Sequence, residues 1–359
     1  MSKNVFILGA GVSKHAGAPL MNNFLDVAED LLKENKIDDK FKEDFKCIFK
    51  TISALKPIYY GAKIDLDNIE NIFAALEMGK LINEIPGLPP EKIENLTDSI
   101  KRFIYITLEK SVKFQVRNER VCPSNNYTSF VNLIDEINKQ GSRENKCSII
   151  TFNYDIALDY AFHFNGKSIN YKLPKENSAN SINLLKLHGS LNWAKCPECG
   201  QIIPWHLHQF FSKNQYLFLE NGRPVIIDIA SKLPFSKLKC CNKEMKSEPF
   251  LVPPVWSKTT YYQGISHVWE SAAKELSDAE NIFISGYSLT ESDMFFRYLF
   301  ALSATKANRI KRFWVFDPDK SGVVNKRFEN FLGFGLKNRF RFLNKEFGQA
   351  IEIIKEELL

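Results

Sequence analysis

The stretch Val5-Phe6-Ile7-Leu8-Gly9-Ala10-Gly11-Val12-Ser13 decides the fold. Four apolar residues in a row read as a strand buried on both faces, which is the pattern of a parallel sheet. The two glycines behind them let the backbone turn tightly and bring amides close to a pyrophosphate with no Cβ in the way. Ser13 is suited to cap the helical segment that follows. The spacing differs from the dehydrogenase fingerprint, because Lys14 stands where its third glycine would be. No acid is clearly placed for the ribose either, and hydride transfer is set aside on these grounds. A tight strand-to-helix turn without a ligand is the plain alternative.

Apolar runs of strand length recur at Cys147–Phe152, Leu184–Leu187, Asn281–Ser285 and Phe313–Phe316, with a shorter Arg339–Leu343 run predicting an edge strand. Each main run ends in Gly, Asn, Asp or His and leads into a helical pattern. The expected fold is therefore α/β, a Rossmann-like doubly wound parallel sheet. It is assembled from residues 1–20, 142–193 and 250–359. Residues 21–141 carry apolar side chains at helical spacing (Phe24, Val27, Ala28, Leu31; Ile69, Ile72, Phe73, Leu76), broken at Pro86-Gly87-Leu88-Pro89-Pro90. They read as a large helical insertion over the ligand edge. Residues 194–249 hold four of the seven cysteines and read as a small cysteine-rich, zinc-ribbon-like module.

Open α/β sheets bind ligands at the carboxyl ends of their strands, so the residues there are the candidates. Asn153 and Asp155, in Thr151-Phe152-Asn153-Tyr154-Asp155, suit a ribose or a positioned water, with an Asx turn as the alternative. His188, before Gly189-Ser190, is placed to accept a proton from water or a ribose hydroxyl, with a hydrogen-bonded core histidine as the alternative. Gly286 and Ser288 end a further strand, as does Asp317 in Phe316-Asp317-Pro318-Asp319, and these ends suit the adenosine side of a dinucleotide. Cys196-Pro197-Glu198-Cys199-Gly200 is a zinc knuckle. Cys240 and Cys241 complete a set of four, although they are adjacent, and His206 or His208 are alternative donors. Free thiols are the other reading, and a disulfide is not expected. Cys47, Cys122 and Cys147 read as core.

With 359 residues, 44% hydrophobic and 25% charged, the chain reads as globular. No apolar run reaches the roughly 20 residues of a membrane span, and the first strand begins too early for a leader. The expected location is cytoplasmic. A net charge of +6 does not imply nucleic acid. The basic residues between Lys306 and Lys345 read chiefly as a solvated face, with a docking surface as the alternative. Direct nucleic-acid binding is not expected.

The set taken in order is Gly9-Ala10-Gly11-Val12-Ser13 with Gly17-Ala18-Pro19, then Asn153 and Asp155, His188-Gly189, the cysteine knuckles, and Gly286 with Ser288. It resembles the sirtuin-like superfamily over most of the chain. The resemblance implies NAD as substrate, cleaved at the nicotinamide–ribose bond, and a structural zinc. Gly9, Ala10, Gly11 and Ser13 would lie at the pyrophosphate and nearby ribose, with Pro19 beside them. Asn153 and Asp155 would lie at the nicotinamide ribose, His188 would be the general base, and Gly286, Ser288 and Asp317 would serve the adenosine half. Phe152 stands where protein-deacylating sirtuins have Gln, Leu20-Met21-Asn22 replaces their Asp-Phe-Arg, and Phe250-Leu251-Val252-Pro253-Pro254-Val255-Trp256 is proline-broken where they pair with an acyl-lysine peptide. The chain looks more like the NAD-hydrolysing (NADase) effector domains of bacterial antiphage defence by abortive infection. That likeness implies a homo-oligomer working with a separate subunit such as a HerA-type ATPase or an Argonaute-like sensor. A protein deacylase and a non-catalytic NAD- or ADP-ribose-binding regulatory subunit are the alternatives.

Overall fold

The computed structural model describes residues 3–56, 61, 66, 68–86, 88–89, 93, 95–118, 120–140, 146–174, 176, 181–205, 207, 225–226, 238–246, 248–253, 263–290, 293–303 and 309–359. The apolar runs form one parallel sheet. In chain order its strands are β1 (Asn4–Leu8), β4 (Cys147–Thr151), β5 (Ile169–Asn170), β6 (Ile182–Lys186), β12 (Asn281–Ser285), β13 (Arg312–Phe316) and β14 (Phe340–Leu343). Their order across the sheet is β14-β13-β12-β1-β4-β6-β5. From β1 the chain passes to β4, then out to the edge strand β5 and back to β6 between them, before returning to the other side of β1 for β12, β13 and β14. The switch point is thus β1 itself, followed by the glycine-rich turn. Register aligns the carboxyl ends: Leu8 lies beside Thr151 and Ser285, Thr151 beside Lys186, and Ser285 beside Phe316.

Helices cover both faces. Side chains alternate along a strand, and Phe6 meets Phe130 of α5 (Asn125–Lys139) at 5.3 Å between ring centroids. Val5 and its neighbour Ser148 face the other way, where Ser148 donates to Glu275 of α7 (Ser266–Asp278) at 2.7 Å. Helix α5 packs on α6 (Ala157–Phe164) and on α10 (Phe347–Leu358), whose start carries a capping box between Glu346 and Gln349. Helices α8 (Met294–Ser303) and α9 (Val323–Phe331) follow β12 and β13.

Residues 21–141 contain α1 (Phe24–Lys33), α2 (Asp39–Leu55), α3 (Ile69–Ile82) and α4 (Leu96–Ser111), with α4 packed on the other three. The same span holds α5, which lies against the sheet. It also holds a hairpin that helical spacing does not announce, β2 (Lys113–Arg117) with β3 (Arg120–Cys122). Arg102 of α4 grips Asp44 of α2 through Nε and an Nη at 2.7 and 2.8 Å, and reaches Glu248 at 2.9 Å with its other Nη. Such bidentate pairing fixes geometry as well as adding attraction. The cysteine-rich segment adds β7 (Trp193–Lys195) with β8 (Ile202–Pro204), β9 (Val225–Ile226) on the β2 edge, and β10 (Lys239–Cys240) with β11 (Lys243–Glu244). Among the described residues, no helix is long and apolar enough to cross a membrane.

One backbone contact sets the centre of the sheet. Gly286 adopts φ +60°, and a Cβ there would lie 2.5 Å from the Val12 nitrogen. Gly9 and Gly11 press on it from the other side, and a Cβ on Gly9 would meet the Gly286 carbonyl at 2.4 Å. Gly322 shares the positive φ, at +78°, but has nothing within 4 Å. Gly286→Val is therefore expected to cost about 3 kcal/mol or more, whereas Gly322→Ala is expected to cost only about 1 kcal/mol of backbone strain. Urea unfolding of both variants measures the difference, and equal losses would mean that the close approach contributes nothing.

Candidate functional site

The aligned strand ends bring together the turns after β1, β4, β6 and β12. Gly9 donates its amide to the Ser285 carbonyl and Gly11 to the Gly286 carbonyl, at 3.1 and 2.9 Å. The helical turn after Gly9 spans Ala10–Ala16 and ends at Gly17, with Pro19 buried just beyond. Asn153, half-buried, donates from Nδ2 to the Gly9 carbonyl and to Ser13 Oγ, both at 3.0 Å. The turn after β4 is thereby tied to the turn after β1.

Ser13 is fully buried. Its hydroxyl donates to Asp155 Oδ2 at 2.8 Å and accepts from Asn153, and it lies 2.6 Å from the Tyr127 hydroxyl. With its proton given to Asp155, the second lone pair takes the Tyr127 proton, so the hydroxyl is saturated inside the protein. Burial pushes the Asp155 carboxyl up from its ordinary range, opposed by the charge of Lys186, the Ala157 amide and the Ser13 hydroxyl. Tyr127 is raised well above the phenol range, first by burial and then by the nearby Asp155 charge.

His188 follows β6 and is 7% exposed. Its ring meets Phe152 edge-on at 5.2 Å and lies 6.0 Å from Tyr154. Phe152 stacks on Tyr287 at 4.4 Å with 10° between planes, and Phe296 closes the group against both. These rings form an aromatic wall from the β4 end to the β12 end. The backbone of the histidine turn is held as well: Val252 donates to the His188 carbonyl at 2.8 Å and Ser190 to the Phe250 carbonyl at 3.1 Å. Gly189, at φ +87°, admits this contact, since a Cβ would lie 2.3 Å from the Phe250 oxygen. Pro254, Val255 and Trp256 lie outside the described residues.

On the β12 side, Ser288 is half-buried and its carbonyl accepts from Arg327 at 3.3 Å. Asp317 is also half-buried. Its Oδ1 accepts from the Asp319 amide at 2.9 Å, and burial raises its carboxyl. The other side chains of the site escape sequence reasoning. Tyr127 comes from the first turn of α5 and not from the end of a strand of the main sheet. Lys186, 1% exposed, ends β6. A cation inside Leu184-Leu185-Lys186-Leu187 is the one signal that marks it, because lysine is almost never fully buried without a partner.

The cysteine cluster is a separate centre. The sulfurs of Cys196, Cys199, Cys240 and Cys241 all lie within 4.8 Å of one another. Cys199 and Cys240 are 3.5 Å apart, and Cys240 and Cys241 are 3.9 Å apart. Tetrahedral thiolates around zinc would sit about 3.8 Å from each other, so the four sulfurs can hold such an ion. Two turns make this geometry. Gly200, at φ +72°, closes the first knuckle, its amide donating to the Cys196 carbonyl at 3.1 Å. Cys241 and Asn242 both take positive φ, 52° and 56°, in the two-residue turn between β10 and β11. That hairpin turn swings adjacent sulfurs to one side. His206 and His208 lie outside the described residues. Cys147 is buried, and Cys47 and Cys122 are half-buried.

No family model and no curated protein matches this sequence. Among solved structures, the chain is similar to a Sir2 homologue mutant in complex with ADP-ribose, at 13% identity and a TM-score of 0.40. It is also similar to a structure described for the mechanism and regulation of Sir2 enzymes, at 11% and 0.42. In both cases the match covers 99% of this chain and 92% of the other. A third is Sir2 with an inhibitor, an acetyl-ADP-ribose and a deacetylated peptide, at 12% and 0.38, covering 99% of this chain and 93% of that one. All three are Sir2 proteins.

Chelator-stripped protein is expected to take up a single equivalent of Zn²⁺, followed with a chromophoric indicator, and Cys241→Ser is expected to weaken that uptake. Unchanged uptake in the variant would remove Cys241 from the ligand set.

Proposed function

We propose that this chain is a sirtuin-like NAD hydrolase that releases nicotinamide and ADP-ribose. The observation that carries the reading is the tie from Asn153 to Gly9 and Ser13, which holds a polar side chain over the glycine-rich turn beside the strand end bearing His188. The nicotinamide ring nitrogen is cationic in NAD, so it leaves with the bonding electrons as a neutral molecule. Cleavage then calls for stabilising an oxocarbenium-like sugar and placing a water. In this reading the pyrophosphate lies along the turn at Gly9, Ala10 and Gly11, whose Gly9 and Gly11 amides are committed to the Ser285 and Gly286 carbonyls, with Pro19 alongside. Gly286, Ser288 and Asp317 take the adenosine half. Asn153, its amide nitrogen already engaged, offers its side-chain oxygen to the water or a ribose hydroxyl. Asp155 and Ser13 hold that arrangement from beneath. The water oxygen bonds to the ribose carbon, and His188 accepts the proton.

Two observations favour water over an acyl-lysine peptide as acceptor. Phe152 fills the position beside Asn153 with an apolar ring packed on His188 and Tyr287. Phe250 and Val252 spend their amides internally, on the carbonyls of Trp193 and His188, and Pro253 has none to give. The resemblance to antiphage effectors and the large helical insertion support a defence role as a homo-oligomer with a separate sensor or ATPase subunit. Zinc in the cysteine cluster is structural in this reading.

Purified protein incubated with NAD is expected to yield nicotinamide and ADP-ribose, resolved by chromatography, with no need for an acylated peptide. His188→Ala and Asn153→Ala should each lower turnover by about 10²–10⁴-fold while leaving the melting temperature near that of the wild type. Activity within a few-fold of wild type in either variant would remove that residue from the chemistry. Turnover that rises with an acetyl-lysine peptide would assign a deacylase instead, and tight ADP-ribose binding with no turnover in any assembly would assign a binding subunit.

A further inference from the structure

We infer that Lys186 is a positioning residue: one buried ammonium sets the Asn153 turn and the His188 turn relative to each other. The inference rests on the site proposed above. Lys186 Nζ donates to the Asp155 carbonyl at 2.6 Å and to Asp159 Oδ2 at 3.0 Å. Asp159, on α6, also accepts the hydroxyl proton of Tyr171. Asn192 donates to that same hydroxyl at 3.0 Å, and Ser190 donates to Asn192 Oδ1 at 2.7 Å. Ser190 lies two residues beyond His188, and Lys186 two residues before it. The network therefore starts at the Asn153 turn and ends on the histidine turn, and every side chain in it is 1% exposed or less. A cavity of about 10 Å³, lined by Asn153, Asp155, Asp159, Lys186 and Tyr127 among others, lies inside the same group. It is sized for about one water molecule, which would serve the third ammonium proton.

Stability does not account for this arrangement. Removing two charges from water costs as much as their attraction returns, so an apolar pair of similar volume is often as stable. What the ion pair supplies and an apolar pair cannot is a directed bond to the Asp155 carbonyl, two residues from Asn153. Loss of that bond frees the turn to shift, and displacements near 1 Å in such sites cost about 10²-fold in rate.

The test compares Lys186→Met with the double variant Lys186→Met/Asp159→Leu. The single variant strands the Asp159 charge and is expected to melt well below wild type. The double variant removes both charges and is expected to melt well above the single variant, short of wild type by the Tyr171 hydroxyl that loses its acceptor. In the double variant kcat for NAD should fall about 10²-fold, with KM within about threefold because the glycine turn is untouched. A crystal structure of the double variant should show the Asn153 amide displaced from Gly9 and Ser13, or the His188 ring displaced from Phe152. If the double variant regains both stability and kcat, the pair is structural only and the inference fails. Unmoved Asn153 and His188 would overturn it as well. Should wild-type protein prove unable to cleave NAD, the hydrolase reading falls separately and the crystallographic comparison alone decides the role of Lys186.

Discussion

The approach of Gly286 to the Gly9–Gly11 turn is the constraint on which the molecule depends. Two backbone segments from opposite ends of the chain touch with no side chain between them. Because the contact is backbone on backbone, it fixes β1 and β12 side by side with their carboxyl ends level. That level edge lets Asn153 reach the Gly9 carbonyl, and β6, one strand further out, brings the histidine turn to the same side. A Cβ at either turn would push the strands apart and the reach of Asn153 would be lost. Hydrophobic burial of β1 drives the assembly, since Val5 to Leu8 are almost wholly removed from water. The glycines decide where it stops.

Below that edge the protein replaces solvent with its own polar groups. Ser13, Asp155, Asp159, Tyr171 and Lys186 are buried yet mutually bonded, as buried polar groups must be if they are not to cost stability. The saturation of the Ser13 hydroxyl matters most here. A hydroxyl with no spare lone pair acts on a ligand through the groups it holds, so Ser13 belongs with the scaffold of Asn153. The aromatic wall of Phe152, Tyr287 and Phe296 does the complementary work on the other side of His188, keeping that flank apolar.

Much of this was legible in the residues. The runs at β1, β4, β6, β12 and β13 were visible because a strand buried on both faces needs no alternation, and Gly, Asn and His at their ends marked the turns. The cysteine set was visible from spacing, although only the left-handed turn at Cys241-Asn242 explains how neighbouring cysteines face one centre. Strand β5 was not legible, being two residues long and held by pairing with β6 alone. Nor was the β2–β3 hairpin, whose Lys113–Arg117 strand is too short and too charged to stand out from a helical region. Tyr127 was hidden for a different reason: it reaches Ser13 across 114 positions of sequence, and no local pattern encodes a contact made by the packing of α5 on the sheet.

Arg102 has a mechanical meaning beyond the ion pairs it makes. Its guanidinium joins α2 and α4 of the helical insertion to Glu248, and Glu248 lies two residues before Phe250, whose carbonyl receives the Ser190 amide. A displacement of the insertion would have one guanidinium fork and a few backbone bonds through which to reach the turn that carries His188. The helical insertion and the histidine turn thus share one linkage, with Arg102 at its joint.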